Sequence, residues 1–234
     1  MNYVINSVKR LVFLLLIITI ALILTLVSQA KEIGDPVYNS NGKVNKKIAL
    51  TFDDGPHPKQ TVKIAELLNL YDVKATFFVI GINAQNYPTA LKKIIESGHE
   101  IGNHTFSHNI LKSMPRLKIE EEIFNTEKEI QKELHERPKL IRPPGGLYGD
   151  NLIEIAKEEN YKIILWTIDT HDWAHASTDS IVNNILKNIK DGDIILFHDY
   201  ISGEANTLNA LKKVIPKLKS MGYEFVTVSE LLQE

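Results

Sequence analysis

The chain contains no cysteine. That excludes disulfides, thiolate metal ligands and a cysteine nucleophile. It also lacks any cluster of lysine and arginine: 27 basic residues are scattered among 29 acidic ones, for a net charge of −2. A nucleic-acid surface would show clustered basic charge, so none is expected. Internal repeats are absent, as is low-complexity sequence beyond the N-terminus. What is present is ordinary for a globular chain of 234 residues, with 44% hydrophobic and 24% charged residues. One domain with a sizeable core fits that length.

Residues 11–27 are uncharged and almost wholly apolar, and Lys9 and Arg10 precede them. At about 1.5 Å per residue this run would reach roughly 25 Å as a helix, just short of a hydrocarbon core. One reading is a signal peptide cleaved after Ala30, because Ser28-Gln29-Ala30 offers small residues where cleavage needs them. The other is an uncleaved N-terminal hydrophobic helix that spans the membrane, with Lys9 and Arg10 on the cytoplasmic side. Its length favours retention. Either reading exports the remainder, to the outer face of the cytoplasmic membrane, the cell wall or the medium. Residues 1–30 are thus expected to be a signal or anchor, 31–46 a polar linker, and 47–234 the functional domain.

From Lys47 onward, short apolar runs alternate with amphipathic stretches. Strands are predicted at 48–52, 75–80, 100–102, 140–142, 163–168, 194–197 and 225–227. Helices are predicted at 62–71, 90–97, 119–136, 152–159, 180–189 and 208–220. Such alternation implies a parallel sheet with covered faces. About seven repeats in this length suit a small α/β barrel slightly better than an open sheet.

Parallel α/β folds gather their sites at the carboxyl ends of strands. Five polar clusters fall there. Asp53-Asp54-Gly55-Pro56 follows the first strand and also reads as an acidic turn capping a helix. His104 and His108, four apart, would share one face of a helical turn and could grip a metal, although two surface histidines would look the same. A carboxylate with two histidines is a recurrent open ligand set for divalent ions. Arg142-Pro143-Pro144-Gly145-Gly146 is a rigid loop that could present backbone N–H groups, and Arg142 can pair with a carboxylate. Asp169-Thr170-His171-Asp172-Trp173 follows a further strand. His198, in Leu196-Phe197-His198-Asp199, would serve as a general acid if a carboxylate raised its pKa.

Taken together, these clusters resemble the five motifs of the polysaccharide deacetylase family (the NodB-homology domain, carbohydrate esterase family 4). They occur in the family's order over residues 51–198, as Thr51-Phe52-Asp53-Asp54-Gly55-Pro56, His104-Thr105-x-x-His108, Arg142-Pro143-Pro144-x-Gly146, Asp169-x-x-Asp172-Trp173 and Leu196-x-His198. The resemblance implies a deformed β/α barrel and a metal-dependent deacetylase. One divalent ion is implied, usually Zn²⁺, with Co²⁺ or Mn²⁺ in some members. It would be held by Asp54, His104 and His108. Asp53 would be the general base and His198 the general acid. Arg142 would orient Asp53, and Asp172 would tune His198 or pair with Arg142. The Gly145 N–H would stabilise an oxyanion, and Leu196 and Trp173 would line the acetyl pocket. Many relatives carry a bulky residue where this chain has Gly145, which would open one wall of the groove. His171 and His175 match no ligand position of the family.

The implied substrate is an N-acetylated extracellular polysaccharide, with peptidoglycan the leading choice. O-Acetyl xylan and chitin oligosaccharides are alternatives that the same site could serve. A non-catalytic wall-binding protein is a third reading, disfavoured because no ligand or base is missing.

Overall fold

The computed structural model describes residues 36–42, 44–201 and 206–233, together with Leu15 and residues 17–19. Those four N-terminal positions are helical. The rest of the hydrophobic run, and the cleavage position after Ala30, lie outside the described residues. Among the described residues, no helix is long and apolar enough to cross a membrane.

Residues from Pro36 onward form one compact unit. Its elements are β1 (Val37–Tyr38), β2 (Lys47–Asp53), α1 (Gln60–Leu70), β3 (Thr76–Val79), α2 (Gly81–Asn86), α3 (Pro88–Glu96), β4 (Glu100–Asn103), α4 (Arg116–Leu134), β5 (Leu140–Ile141), α5 (Asp150–Glu158), β6 (Lys162–Ile164), β7 (Ile168–Asp169), α6 (Thr178–Asn188), β8 (Ile194–His198), α7 (Thr207–Ser220), β9 (Glu224–Phe225) and α8 (Val228–Leu231). The strands are parallel, in the order β1-β6-β5-β4-β3-β2-β8-β7, with β9 also paired to β2. This is the expected deformed α/β barrel, with nine strands among the described residues instead of about seven.

Two expectations change. Residues 31–46 do not all form a linker, since Val37 and Tyr38 add β1 to the edge of β6. Residues 163–168 are not one strand. Their first part is β6, paired with β5, and their end is β7, paired with β8 at the opposite end of the sheet. The chain therefore crosses the barrel's seam at Leu165-Trp166-Thr167. Hydrophobicity along that run is continuous because both halves are buried, so periodicity carries no mark of the break.

Side-chain parity builds two layers from the same strands. Ile48, Leu50 and Phe52 of β2 point out to the helices, beside Phe77, Ile195, Phe197, Ile64, Leu91 and Leu211. Phe52 stacks between Phe77 and Phe197, with ring centroids 4.8 and 5.6 Å away. Ala49, Phe78, Ile164 and Ile194 pack in a separate cluster that Val228 and Leu231 of α8 close. Each fully buried large apolar side chain stabilises the fold by roughly 1.5–3 kcal/mol. The same parity turns Thr51 and Asp53 of β2, and Leu196 and His198 of β8, to the interior.

Register then sets the height of each polar residue. Asp53 lies opposite His198. Asn103 lies opposite Ile141, so His104 and Arg142 leave neighbouring strands at one level. The Arg142 N–H donates to the Asn103 carbonyl at 2.9 Å, and the His104 N–H to the Val79 carbonyl at 2.9 Å.

Candidate metal centre and active site

All five clusters converge on the carboxyl end of the barrel. A cavity of about 380 Å³ there is lined by Asp53, Asp54, His104, His108, Gly145, Trp166, Asp169, Trp173, Leu196 and His198. A larger cavity at the other end of the strands, near Lys187 and Asp191, holds no such set.

Asp54 Oδ1 lies 3.4 Å from His104 Nε2 and 3.2 Å from His108 Nε2. Among the described residues, Asp54, His104 and His108 are the one group whose ligand atoms all fall within 4.8 Å. Asp54 Oδ1 is buried without a hydrogen-bond partner. One carboxylate oxygen facing two imidazole nitrogens is a donor set that a divalent cation satisfies. The His104 Nδ1–H donates to the Arg142 carbonyl at 2.7 Å, which leaves the Nε2 lone pair free for a ligand bond. Burial acts to raise the Asp54 pKa, but the His104 and His108 imidazoles outweigh it and hold the carboxyl well below its usual range. Burial acts to lower that of His104, and the charges of Asp53 and Asp54 outweigh it upward.

The two histidines do not meet on a helical turn. Residues 104–108 are loop, with Thr105 and His108 in the left-handed region at φ 68° and 59°. Glu122 of α4 shapes that loop. Its Oε2 accepts the Phe106 and Ser107 N–H groups, each at 2.8 Å, and its Oε1 accepts the Ser107 hydroxyl at 2.5 Å. Sequence reading missed Glu122, which sits in a run of three glutamates with nothing to single it out.

Arg142 is fully buried beneath the site. Its Nη1 donates to Asp53 Oδ1 at 2.7 Å and to Thr51 Oγ1 at 2.8 Å. Its Nε and Nη2 donate to the Ile164 and Leu165 carbonyls at 3.2 and 3.1 Å. Phe78 lies against the guanidinium, 4.2 Å from ring centroid to Cζ. The other Asp53 oxygen, Oδ2, faces the Asp54, His104 and His108 group, 3.7 Å from His104 Nε2.

Asp172 pairs with His198, not with Arg142. Asp172 Oδ1 accepts from His198 Nδ1 at 2.8 Å, and Oδ2 accepts the His198 backbone N–H at 2.9 Å and the Thr207 hydroxyl at 2.8 Å. Burial acts to lower the His198 pKa, but the bond and charge of Asp172, with Asp53 and Asp54 beyond, outweigh it and raise it to about 9. His198 Nε2 is left for the cavity.

Gly145 is left-handed at φ 62°, inside the turn Pro144–Gly146. The nearest atoms to a Cβ there would be those of Ile110 and Leu147, at ordinary contact distances of 3.8 and 3.9 Å. Trp173 is 52% exposed at the rim, whereas Leu196 is buried. Trp166 and Asp169 also line the cavity; Asp169 opens the fourth motif without an assigned role, and Trp166 falls within a run that reads from sequence as one strand. His171 and His175 are exposed and apart from the ligand group.

A parallel barrel that presents one carboxylate and two imidazoles to a divalent ion, between an arginine-held aspartate and an aspartate-held histidine, defines a metal-dependent hydrolase. The sequence profile of polysaccharide deacetylases matches residues 40–164. The Bacillus cereus protein named peptidoglycan-N-acetylglucosamine deacetylase is 45% identical over 190 residues, which are 80% of this chain and 89% of that one. A solved peptidoglycan N-acetylglucosamine deacetylase, in complex with 4-naphthalen-1-yl-N-oxidanyl-benzamide, superposes with a TM-score of 0.82 at 40% identity, over 85% of this chain and 93% of the other. A family 4 acetyl xylan esterase from Clostridium thermocellum, in complex with a cobalt ion, superposes with a TM-score of 0.73 at 35% identity, over 80% and 90%. The chain belongs to the polysaccharide deacetylase family.

Proposed function

We propose that this enzyme removes N-acetyl groups from the amino sugars of peptidoglycan, with Asp53 as general base and His198 as general acid. The observation that carries the reading is the division of labour between two ion pairs whose proton-handling members, Asp53 and His198, lie in register on neighbouring strands. Arg142 occupies one oxygen of Asp53 and leaves Oδ2 toward the ligands. Asp172 occupies Nδ1 of His198 and leaves Nε2 toward the cavity. One group is thereby set to take a proton and the other to give one.

Asp54, His104 and His108 would hold Zn²⁺, or Co²⁺ or Mn²⁺ in its place. When bound, the ion supplies Lewis acidity to the acetyl carbonyl and acidifies water. Asp53 Oδ2 takes the proton of the attacking water. The Gly145 N–H donates to the carbonyl oxygen as its negative charge develops. The C–N bond breaks as His198 Nε2–H gives its proton to the departing amine. Leu196 and Trp173 enclose the acetyl methyl group. Gly145 leaves that wall of the groove open to a bulky polymer.

The name of the Bacillus cereus relative supports peptidoglycan. Action on wall polymer requires export, which residues 1–30 would provide, either as a cleaved signal or as an anchor retained through residues 11–27. Zn²⁺-loaded enzyme is expected to release acetate from purified wall, and digested fragments are expected to lose the mass of one acetyl on a hexosamine. Release from acetylated xylan or chitin oligomers but not from wall overturns the substrate assignment. Chelation is expected to abolish release, and Zn²⁺ or Co²⁺ to restore it; release that persists without metal overturns the mechanism.

Because His198 must be protonated to donate, kcat/KM falls as pH rises through its pKa. Asp172→Asn removes the charge that raises that pKa, so the alkaline limb is expected to move down by about 1–3 pH units. A pH profile of acetate release checks this, and an unmoved limb excludes His198 as the acid.

A further inference from the structure

Asp199 is a fully buried carboxylate that the chemistry above does not use. It follows His198 at the end of β8. Its Oδ1 accepts the Gly55 N–H at 3.0 Å, and its Oδ2 accepts the Thr61 hydroxyl at 2.5 Å. Thr61 Oγ1 in turn accepts the His57 N–H at 2.7 Å. The Asp199 N–H donates to the Asp53 carbonyl at 3.1 Å. One residue thus ties the end of β2 and the start of α1, which flank the loop 54–59, to the strand that carries His198.

That loop needs restraint. Asp54 is a non-glycine residue in the left-handed region, at φ 76°. Such a conformation is strained and persists only where its surroundings enforce it. The Asn83 side chain donates to the Asp54 carbonyl at 2.7 Å, and the Ile80 N–H donates to the Gly55 carbonyl at 2.8 Å. Asp199 holds the Gly55 N–H. The fit is close, because a Cβ on Gly55 would stand 2.1 Å from Asp199 Oδ2. Asp199 is not among the ligand group, and both of its oxygens are already engaged.

We infer that Asp199 is a positioning residue: it holds the Asp53–Asp54 loop in the conformation that aims the Asp54 carboxylate at the metal, and it couples that loop to His198. The inference rests on the metal-site reading, so Co²⁺ binding by the unaltered chain is the control. If the unaltered chain binds no Co²⁺, the site reading fails first. If it binds, the variants decide the role of Asp199.

The test is made on the full chain, with Co²⁺ affinity from chelator competition, the visible spectrum of the bound Co²⁺, and unfolding temperature. Loss of a group that orients a metal ligand lowers metal affinity or activity about 10–100-fold. Asp199→Ala is expected to weaken Co²⁺ by that factor, to change its spectrum, and to lower kcat at saturating metal with KM little altered. Asp199→Asn keeps an oxygen for the Gly55 N–H and is expected to recover most of the affinity. Co²⁺ affinity within twofold of the unaltered chain, with an unchanged spectrum, in folded Asp199→Ala overturns the inference. If Asp199→Ala does not fold, Thr61→Val decides by cutting one arm alone. A several-fold loss of affinity supports the inference, and an unaltered affinity overturns it.

Discussion

Asp53→Asn is expected to lower kcat about a thousandfold, within the range typical for loss of a general base. Metal content and KM are expected to change little. Asparagine has the shape of aspartate, and its carbonyl oxygen can still accept from Arg142 Nη1, as Asp53 Oδ1 does at 2.7 Å. Its other polar atom is an amide nitrogen that cannot take a proton from water. Asp54→Asn next to it serves as the contrast. That change weakens an oxygen that stands within 3.4 Å of both ligand histidines, so metal should be lost and excess metal should restore part of the activity. Metal analysis beside steady-state kinetics separates the two. A kcat for Asp53→Asn within tenfold of the parent enzyme would falsify the assignment of Asp53 as base.

Arg142→Met is expected to produce the largest loss of stability, about 3–5 kcal/mol, the range found when one partner of a buried ion pair is removed. The guanidinium has no exposure, and its pKa is drawn down by burial against the opposing pull of Asp53. Methionine fills most of the volume but leaves Asp53 Oδ1 without its cation. It also leaves the Ile164 and Leu165 carbonyls without their donors. Those two carbonyls lie where the chain crosses between β6 and β7, so the seam of the barrel loosens with the site. Urea unfolding measures the loss. In an Asp53→Asn background the same change is expected to cost less, because the unpaired charge is already gone. Additive losses would mean that the pair does not couple.

Both expectations depend on contacts between segments far apart in sequence, and this separates what was legible from what was not. Strand parity was legible. Phe52 and Asp53, or Phe197 and His198, alternate outward and inward because neighbouring strand residues face opposite sides. The members of the Asp54, His104 and His108 cluster were legible too, since motif order is a local property of the chain. The geometry by which the histidines meet was not. Four-residue spacing suggested a helical turn, but Thr105 and His108 take left-handed backbone at φ 68° and 59°, which a right-handed turn does not contain, and Glu122 holds the loop by accepting the Phe106 and Ser107 N–H groups. Continuous hydrophobicity over 163–168 hid a change of neighbours, because a strand's partners leave no trace in its own apolar pattern.

By itself, the sequence determined the barrel class, the family, and the residue types that meet at its carboxyl end. Tertiary structure alone decided who pairs with whom. Asp172 had two cations in reach of argument, and only the packed molecule assigns it to His198 and reserves Arg142 for Asp53, 89 positions away. It also decided that the Arg142 carbonyl holds His104 Nδ1, which turns Nε2 toward Asp54. The reason is physical. Periodicity and motif reflect forces between near neighbours, whereas hydrogen bonds in a buried site are chosen by the register of parallel strands whose partners the chain reaches only after folding.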